Sequence, residues 1–270
     1  MKQKRKVFTL VLFIVAIFII FVISLSNGAV SIGFSNLWRA IFQFDASVQT
    51  QQIIRTIRLP RILGSFLVGS CFALSGALMQ GVARNNLADS GLLGINSGAS
   101  LAMAVSFIFL PKTSAFGVFL ISLLGSFLVT LLVFFCLSLS RVGMNPIQLI
   151  LIGVAISSFF TAISQALTQL FDLQQDLAFW FVGGAANITW QQLKVIAPVY
   201  IVAVGCSFVL GKSVSLVNLS EAHALALGGH PKRTRIVVFL LVAVLAAIAV
   251  SLVGPVSFIC LLYTSDAADD

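Results

Sequence analysis

Apolar residues run along this chain in long blocks, and polar residues collect between them. Blocks near 7–26, 59–80, 92–110, 114–138, 146–169, 192–210 and 234–253 stand out. A helix needs about 20 apolar residues to cross a bilayer. Strand-like alternation is scarce, and helices satisfy all their own backbone groups in lipid. The pattern therefore predicts seven crossings, with a further apolar run starting after Gly254-Pro255.

Composition sharpens this picture. Apolar residues make up 59% of the 270 and charged residues 9%, against about 25% charged in a soluble domain. Mean hydropathy is +1.10. A chain this apolar predicts an all-α polytopic membrane protein. The net charge of +8 would suit nucleic acid in a soluble protein. Here the cations stand between apolar blocks, where they orient helices, so no nucleic acid is expected as a partner. Cys71, Cys136, Cys206 and Cys260 form no C-x-x-C pair and read as small hydrophobes. The basic start Met1 to Lys6 leads into an apolar block too long for a signal peptide, with no A-x-A-like cleavage site after it.

Charge also sets a topology. With the N-terminus inside, the inner segments hold Lys2, Lys4, Arg5, Lys6, Arg84, Arg141, Lys212, Lys232, Arg233 and Arg235. The outer segments hold Arg39, Arg55, Arg58, Arg61, Lys112 and Lys194. The excess of inner cations favours this orientation. Three outer cations cluster at Arg55, Arg58 and Arg61. Pro60 suits the first turn of a helix, so Arg58 and Arg61 are expected to flank a helix N-terminus, where cations oppose the dipole. Two disfavoured placements point to an acidic partner outside the membrane or to headgroup phosphate.

Two polar segments interrupt the pattern. Residues 84–100 mix Gly, Asn and Ser with apolar residues, a composition suited to irregular backbone that protein buries or a cavity wets. In segment 213–233, Ser220 can cap a short helix, Glu221 suits its first turn and Gly228 can end it. Leu219, Ala222, Leu225 and Ala226 would form one apolar stripe, docking a soluble partner or lying on the bilayer interface.

Enzyme and metal signatures are weak. Gly205 to Ser213 has five residues between its glycines where a phosphate-binding loop has four, and it ends an apolar block. His223 and His230 have no further ligand at metal spacing, and no cofactor is implied. Asp45, Asp89, Asp172, Asp176 and Glu221 all fall outside the middle of the apolar blocks. An ion-coupled secondary transporter, the alternative function, commonly needs a carboxylate there.

Several stretches together resemble a known family. Arg58-Leu-Pro-Arg61, Leu74-Ser-Gly-Ala-Leu-Met-Gln-Gly81, Arg84-Asn-Asn-Leu-Ala-Asp89 and Gly91-Leu-Leu-Gly-Ile-Asn-Ser-Gly-Ala99 resemble the permeases of iron-siderophore, haem and cobalamin importers of the FecCD and BtuC type. Leu149 to Ser158, Phe179 to Gly184, Lys232 to Arg235 and Gly254 to Phe258 follow in the family's order, and the likeness covers roughly residues 30 to 259.

The resemblance implies a ten-helix permease in the bacterial cytoplasmic membrane, itself not an enzyme. It implies a second permease subunit, identical or different, a cytoplasmic ATPase dimer and an extracytoplasmic substrate-binding protein. Arg58 and Arg61 would meet acids on the binding protein. Asn85 and Leu87 would form a cytoplasmic gate. Ser220, Glu221, Ala222, His223, Ala224, Leu225, Ala226, Leu227 and Gly228 would couple to the ATPase. Asn86 and Ser90 stand where the family usually has proline. Residues 260–270 depart further: Cys260-Leu-Leu-Tyr-Thr-Ser-Asp-Ala-Ala-Asp-Asp270 resembles a translated sequencing adaptor. The expectation is one permease domain over 1–259, lacking its C-terminal spans, with a non-native tail.

Overall fold

The computed structural model describes residues 2–27, 33, 37–40, 43–45, 47–85, 88–89, 91, 94–138, 146–219 and 221–255. Helices account for nearly all of them. In chain order they are α1 (Lys2–Ser26), α2 (Gln49–Ala83), α3 (Ile95–Phe109), α4 (Ala115–Ser138), α5 (Pro146–Leu170), α6 (Gln174–Gly183), α7 (Trp190–Leu219), α8 (Glu221–Ala226) and α9 (Pro231–Val253). A 3-10 turn, Gly184–Asn187, follows α6.

Every apolar block is a helix. Among the described residues, five of them, α2, α4, α5, α7 and α9, are long and apolar enough to cross a membrane. The third block differs from the expectation of a full crossing. Its helix α3 has 15 residues, or about 22 Å at 1.5 Å per residue, against a hydrocarbon core of about 30 Å. The described residues before it, Ala88, Asp89, Gly91 and Gly94, are not α-helical. Gly94, at the start of α3, sits beside Val129 of α4 and Ser157 of α5, both near the middle of their helices. Non-helical backbone at Gly94 therefore lies well inside the bundle, where protein encloses it.

The centre of the bundle is α9. Two thirds of its most apolar stretch, 67%, is buried, as befits a helix that is apolar all round. Val238, Phe239, Val242, Leu245, Ile248 and Ala249 from α9 meet Leu67, Cys71, Leu78 and Met79 from α2 in one core. Helix α3 crosses α4 with backbones touching. A Cβ on Gly98 would lie 2.5 Å from the carbonyl oxygen of Gly125. Only glycine permits that approach, the usual device of helix contacts in lipid. At the other extreme, α1 is peripheral and exposes Phe8, Phe13, Phe18 and Ile20, a surface that suits lipid.

Pro60 stands in the first turn of the α-helical part of α2, Leu59–Ala83, as expected, but that part does not start free. The chain is already helical from Gln49, so Pro60 lies inside α2. A proline there lacks an N–H and crowds the carbonyl four residues back. The helix accommodates it by widening into one π-helical turn over Ile54–Arg58. The α-helix therefore starts where expected, between Arg58 and Arg61, but its Leu59 N–H is already bonded to the Ile54 carbonyl of the π-helical turn, which weakens the dipole argument for those cations.

Candidate functional site

Three places carry polar or unpaired chemistry on this apolar scaffold. The first is the end of the bundle where α1 stops and α2 bends. The π-helical turn rotates Arg58 inward. Its Nη1 donates to the carbonyls of Leu25 at 2.7 Å and Ser26 at 3.3 Å, which are last-turn acceptors of α1 that need partners. Arg58 is buried and Leu25 fully so. Arg61, one turn on, is exposed, and its Nη2 donates to the carbonyl of Ala186 at 3.1 Å.

Sequence reasoning grouped these two arginines, and the structure separates them. It also places Arg55 and Lys194 as exposed cations at this end, with the Arg55 guanidinium 4.6 Å from the centre of the Phe44 ring. Trp190 fixes Arg55 by donating its Nε1–H to the Arg55 carbonyl at 2.8 Å. Asp45 lies on the adjoining loop. The Ser47 hydroxyl and then the Ser47 N–H hold its carboxyl below the usual range, so it stays ionised.

The second place is at the opposite end. Asn85 is exposed, and its N–H reaches back to the carbonyl of Gln80 at 3.3 Å. The backbone then turns through Ala88, fully buried, whose N–H donates to the Asn85 carbonyl at 3.1 Å. Asp89 Oδ1 accepts from the Gly91 N–H at 2.9 Å. Leu87, Asn86 and Ser90 lie outside the described residues, as does Ser220. Helix α8 follows α7 at this end. Gly228, at φ 75°, ends it with its N–H on the Leu225 carbonyl, the left-handed stop that glycine allows. Ala224 is buried against the bundle, while Leu219, Leu225 and Leu227 are 75%, 62% and 68% exposed. Three uncovered leucines around a six-residue helix make an apolar knob. The side chains of Glu221, Ala222 and His223 lie outside the described residues. Residues 256–270, including the tail from Cys260, do too.

Sequence reasoning missed the third place. Only 11% of the most apolar stretch of α5 is buried. Ser158, Thr161, Gln165 and Gln169 stand exposed along it, at intervals of three or four that put them on one helix face. Ser164 and Thr168 turn inward, with Thr168 Oγ1 donating to the Ser164 carbonyl at 2.6 Å. With Ser100, Gln174 and Phe181, the residues Thr161, Ser164, Gln165, Thr168 and Gln169 line a groove of about 460 Å³. Gln side chains cannot satisfy their hydrogen bonds against lipid tails. This face must meet water or another chain. The signal was readable in the polar spacing of block 146–169, hidden by the block's high mean apolarity.

Two rejected motifs gain a physical reason. Gly205 to Ser213 lies in the unbroken helix α7, where the helix itself consumes the N–H groups that a phosphate loop would present. The five acids outside the tail lie in loops, in the short α6 (Asp176) or in α8 (Glu221), away from the middle of the long helices.

A family model described as the FecCD transport family matches residues 15–266. The chain is 37% identical over 240 residues to the iron(3+)-hydroxamate import system permease protein FhuB of Bacillus subtilis (strain 168), covering 89% of this chain and 62% of that protein. It is 33% identical to the Fe(3+)-citrate import system permease protein YfmD of the same organism, over 96% of this chain and 78% of that one. It is 34% identical to the Fe(3+) dicitrate transport system permease protein FecC of Escherichia coli (strain K12), over 92% and 76%. The chain thus spans under two thirds of the first of these relatives and about three quarters of the others. Among solved structures, a chain described as a metal-chelate type ABC transporter in an inward-facing conformation superimposes with a TM-score of 0.75 at 30% identity, covering 94% of this chain and 77% of that chain.

Proposed function

The chain belongs to the FecCD transport family, and from that premise we propose that it is the permease subunit of an ATP-driven importer in the bacterial cytoplasmic membrane, with its N-terminus in the cytoplasm. The cargo is an iron-siderophore chelate or a related haem or cobalamin chelate. The relatives' names specify iron chelates of hydroxamate and citrate type, which sets the order in which cargoes are tried. The chain performs no chemistry on the cargo. It opens a path, and a cytoplasmic ATPase dimer supplies the energy.

The observation that carries this reading is the polar stripe Ser158, Thr161, Gln165 and Gln169 on a largely uncovered membrane helix. A second permease subunit facing α5 would enclose a path whose wall offers hydrogen bonds without charge. Such a wall lets a bulky hydrophilic chelate slide without binding it tightly. Selectivity would then rest with an extracytoplasmic binding protein. The exposed cations Arg55 and Arg61 suit acidic groups on that protein, and Arg58 supports them by holding the end of α1. On the cytoplasmic side, the knob around Leu219, Leu225 and Leu227 suits an apolar groove on the ATPase. The segment from Asn85 onward would close the path.

The test is thiol labelling in a cysteine-free background. Thr161→Cys, Gln165→Cys and Gln169→Cys should react with a membrane-impermeant maleimide in the assembled transporter, and bound cargo should slow the reaction. Phe159→Cys, on the adjoining face, should react poorly. Stripe positions as unreactive as Phe159→Cys would remove the proposed path.

A further inference from the structure

We propose that the pocket between α1, α2 and the start of α7 is a site for an anionic phospholipid. Lys194 and Arg55 hold its headgroup phosphate, and one acyl chain lies against the apolar wall below them. The pocket has a volume of about 620 Å³. Phe21 of α1, Leu59 and Leu63 of α2 and Trp190 of α7 supply the wall, and Arg55 and Lys194 supply the charge. None of the described residues that line it is acidic. Asp45, the acid of the adjoining loop, is engaged with Ser47. Two cations that line one pocket repel each other unless an anion stands between them. The site needs only a chain that spans a membrane, whatever that chain transports.

Depth favours a lipid over a soluble partner. Helices α2 and α7 run side by side in the same direction, since Trp190 meets Arg55 near their starts and Arg84 meets Val217 near their ends. The Trp190 indole bonded to the Arg55 carbonyl sets these two residues at one level, and tryptophan favours the membrane–water interface. Lys194 lies four residues further along α7, about 6 Å deeper at 1.5 Å per residue. Val195, Val199 and Val202 are exposed beside and below it, a surface for lipid tails. An ammonium at that depth needs an anion or water within reach of its flexible stem. A phosphate drawn into the pocket supplies the anion, and the exposed Leu63 continues the wall beneath it. Basic pockets between membrane helices take anionic headgroups in this way. A soluble binding protein could reach Arg55 from outside the membrane, but not the wall below Lys194. Arg55 carries five N–H donors, enough for a phosphate and a protein acid together, and Arg61 does not line this pocket.

Native mass spectrometry of the purified chain reads the occupancy. The chain is titrated with dioleoyl phosphatidylglycerol, with dioleoyl phosphatidylcholine, and with glycerol 3-phosphate as the free headgroup. Phosphatidylglycerol should fill one site at concentrations where the other two do not. Lys194→Gln and Arg55→Gln should each weaken it by about fivefold, the effect of one Lys or Arg near an anionic lipid surface, while Lys194→Arg should bind as wild type. Lys112→Gln removes an exposed cation that does not line the pocket and should change nothing. Leu63→Trp fills the wall and should weaken the lipid with both cations in place. Phosphatidylglycerol bound as tightly by Lys194→Gln as by Lys112→Gln overturns the proposal, as does equal occupancy by phosphatidylcholine. Glycerol 3-phosphate that displaces the lipid at equal concentration makes this a free-anion site and overturns it too. So does unchanged binding in Leu63→Trp, or a loss of binding that appears only with a fall in melting temperature. No outcome depends on transport, so failure of the importer reading leaves the result standing.

Discussion

Two arginines three residues apart do different work. Arg58 gives its guanidinium to the last carbonyls of α1, and Arg61 faces outward with one bond to the Ala186 carbonyl. Hydrogen bonds to charged groups contribute roughly 1.5–3 kcal/mol each. Arg58→Ala should therefore lower the melting temperature in detergent and reduce expression. Arg61→Glu should leave both unchanged yet weaken binding-protein docking by at least about tenfold, since like charges meeting across an interface cost several kcal/mol. Titration of the binding protein onto the permease in nanodiscs measures this. Equal melting-temperature losses in the two variants would contradict the division of labour. The sequence marks both residues as unusual cations, but not which one turns inward. That choice depends on the π-helical turn, whose extra residue rotates the register, and on where α1 docks. Neither is visible in local spacing.

At the level of elements, apolar length alone places all the long helices. It misplaces what backbone continuity decides. Pro60 reads as a helix start because proline favours first turns, yet the preceding Gln49–Arg58 stretch is itself helical. Block 92–110 reads as a crossing because apolarity does not distinguish helix from buried irregular backbone. The Gly94 and Gly98 contacts with α4 settle it. Those contacts yield a prediction. Gly98→Ala forces a Cβ against the Gly125 backbone, which cannot yield as a side chain can, and should destabilise by about 1–3 kcal/mol. Gly69→Ala and Gly205→Ala, where nothing lies within 4 Å of the new Cβ, should be neutral or slightly stabilising, because alanine favours helix by up to about 1 kcal/mol. Thermal unfolding in one detergent checks all three. A Gly98→Ala protein as stable as the two controls would contradict the close α3–α4 crossing.

For the whole molecule, the apolar mass is inert and the function lies in what departs from it. On the proposed reading, the polar face of α5, the exposed leucines beside α8 and the exposed cations Arg55 and Arg61 would make three contacts, each with a different chemistry. Composition makes the membrane location legible, and motif resemblance makes the family legible. The stripe on α5 is not legible from mean hydropathy, because averaging over an apolar block erases four polar positions that only helical phase brings together. ATP hydrolysis by a partner should drive a chelate along that face. Radioiron-chelate uptake into proteoliposomes holding the permease with its ATPase and binding protein measures this. Uptake should require ATP, stop when the ATPase is made inactive, and persist when proton and sodium gradients are collapsed. Uptake that continues with an inactive ATPase and disappears with an ion gradient would contradict it.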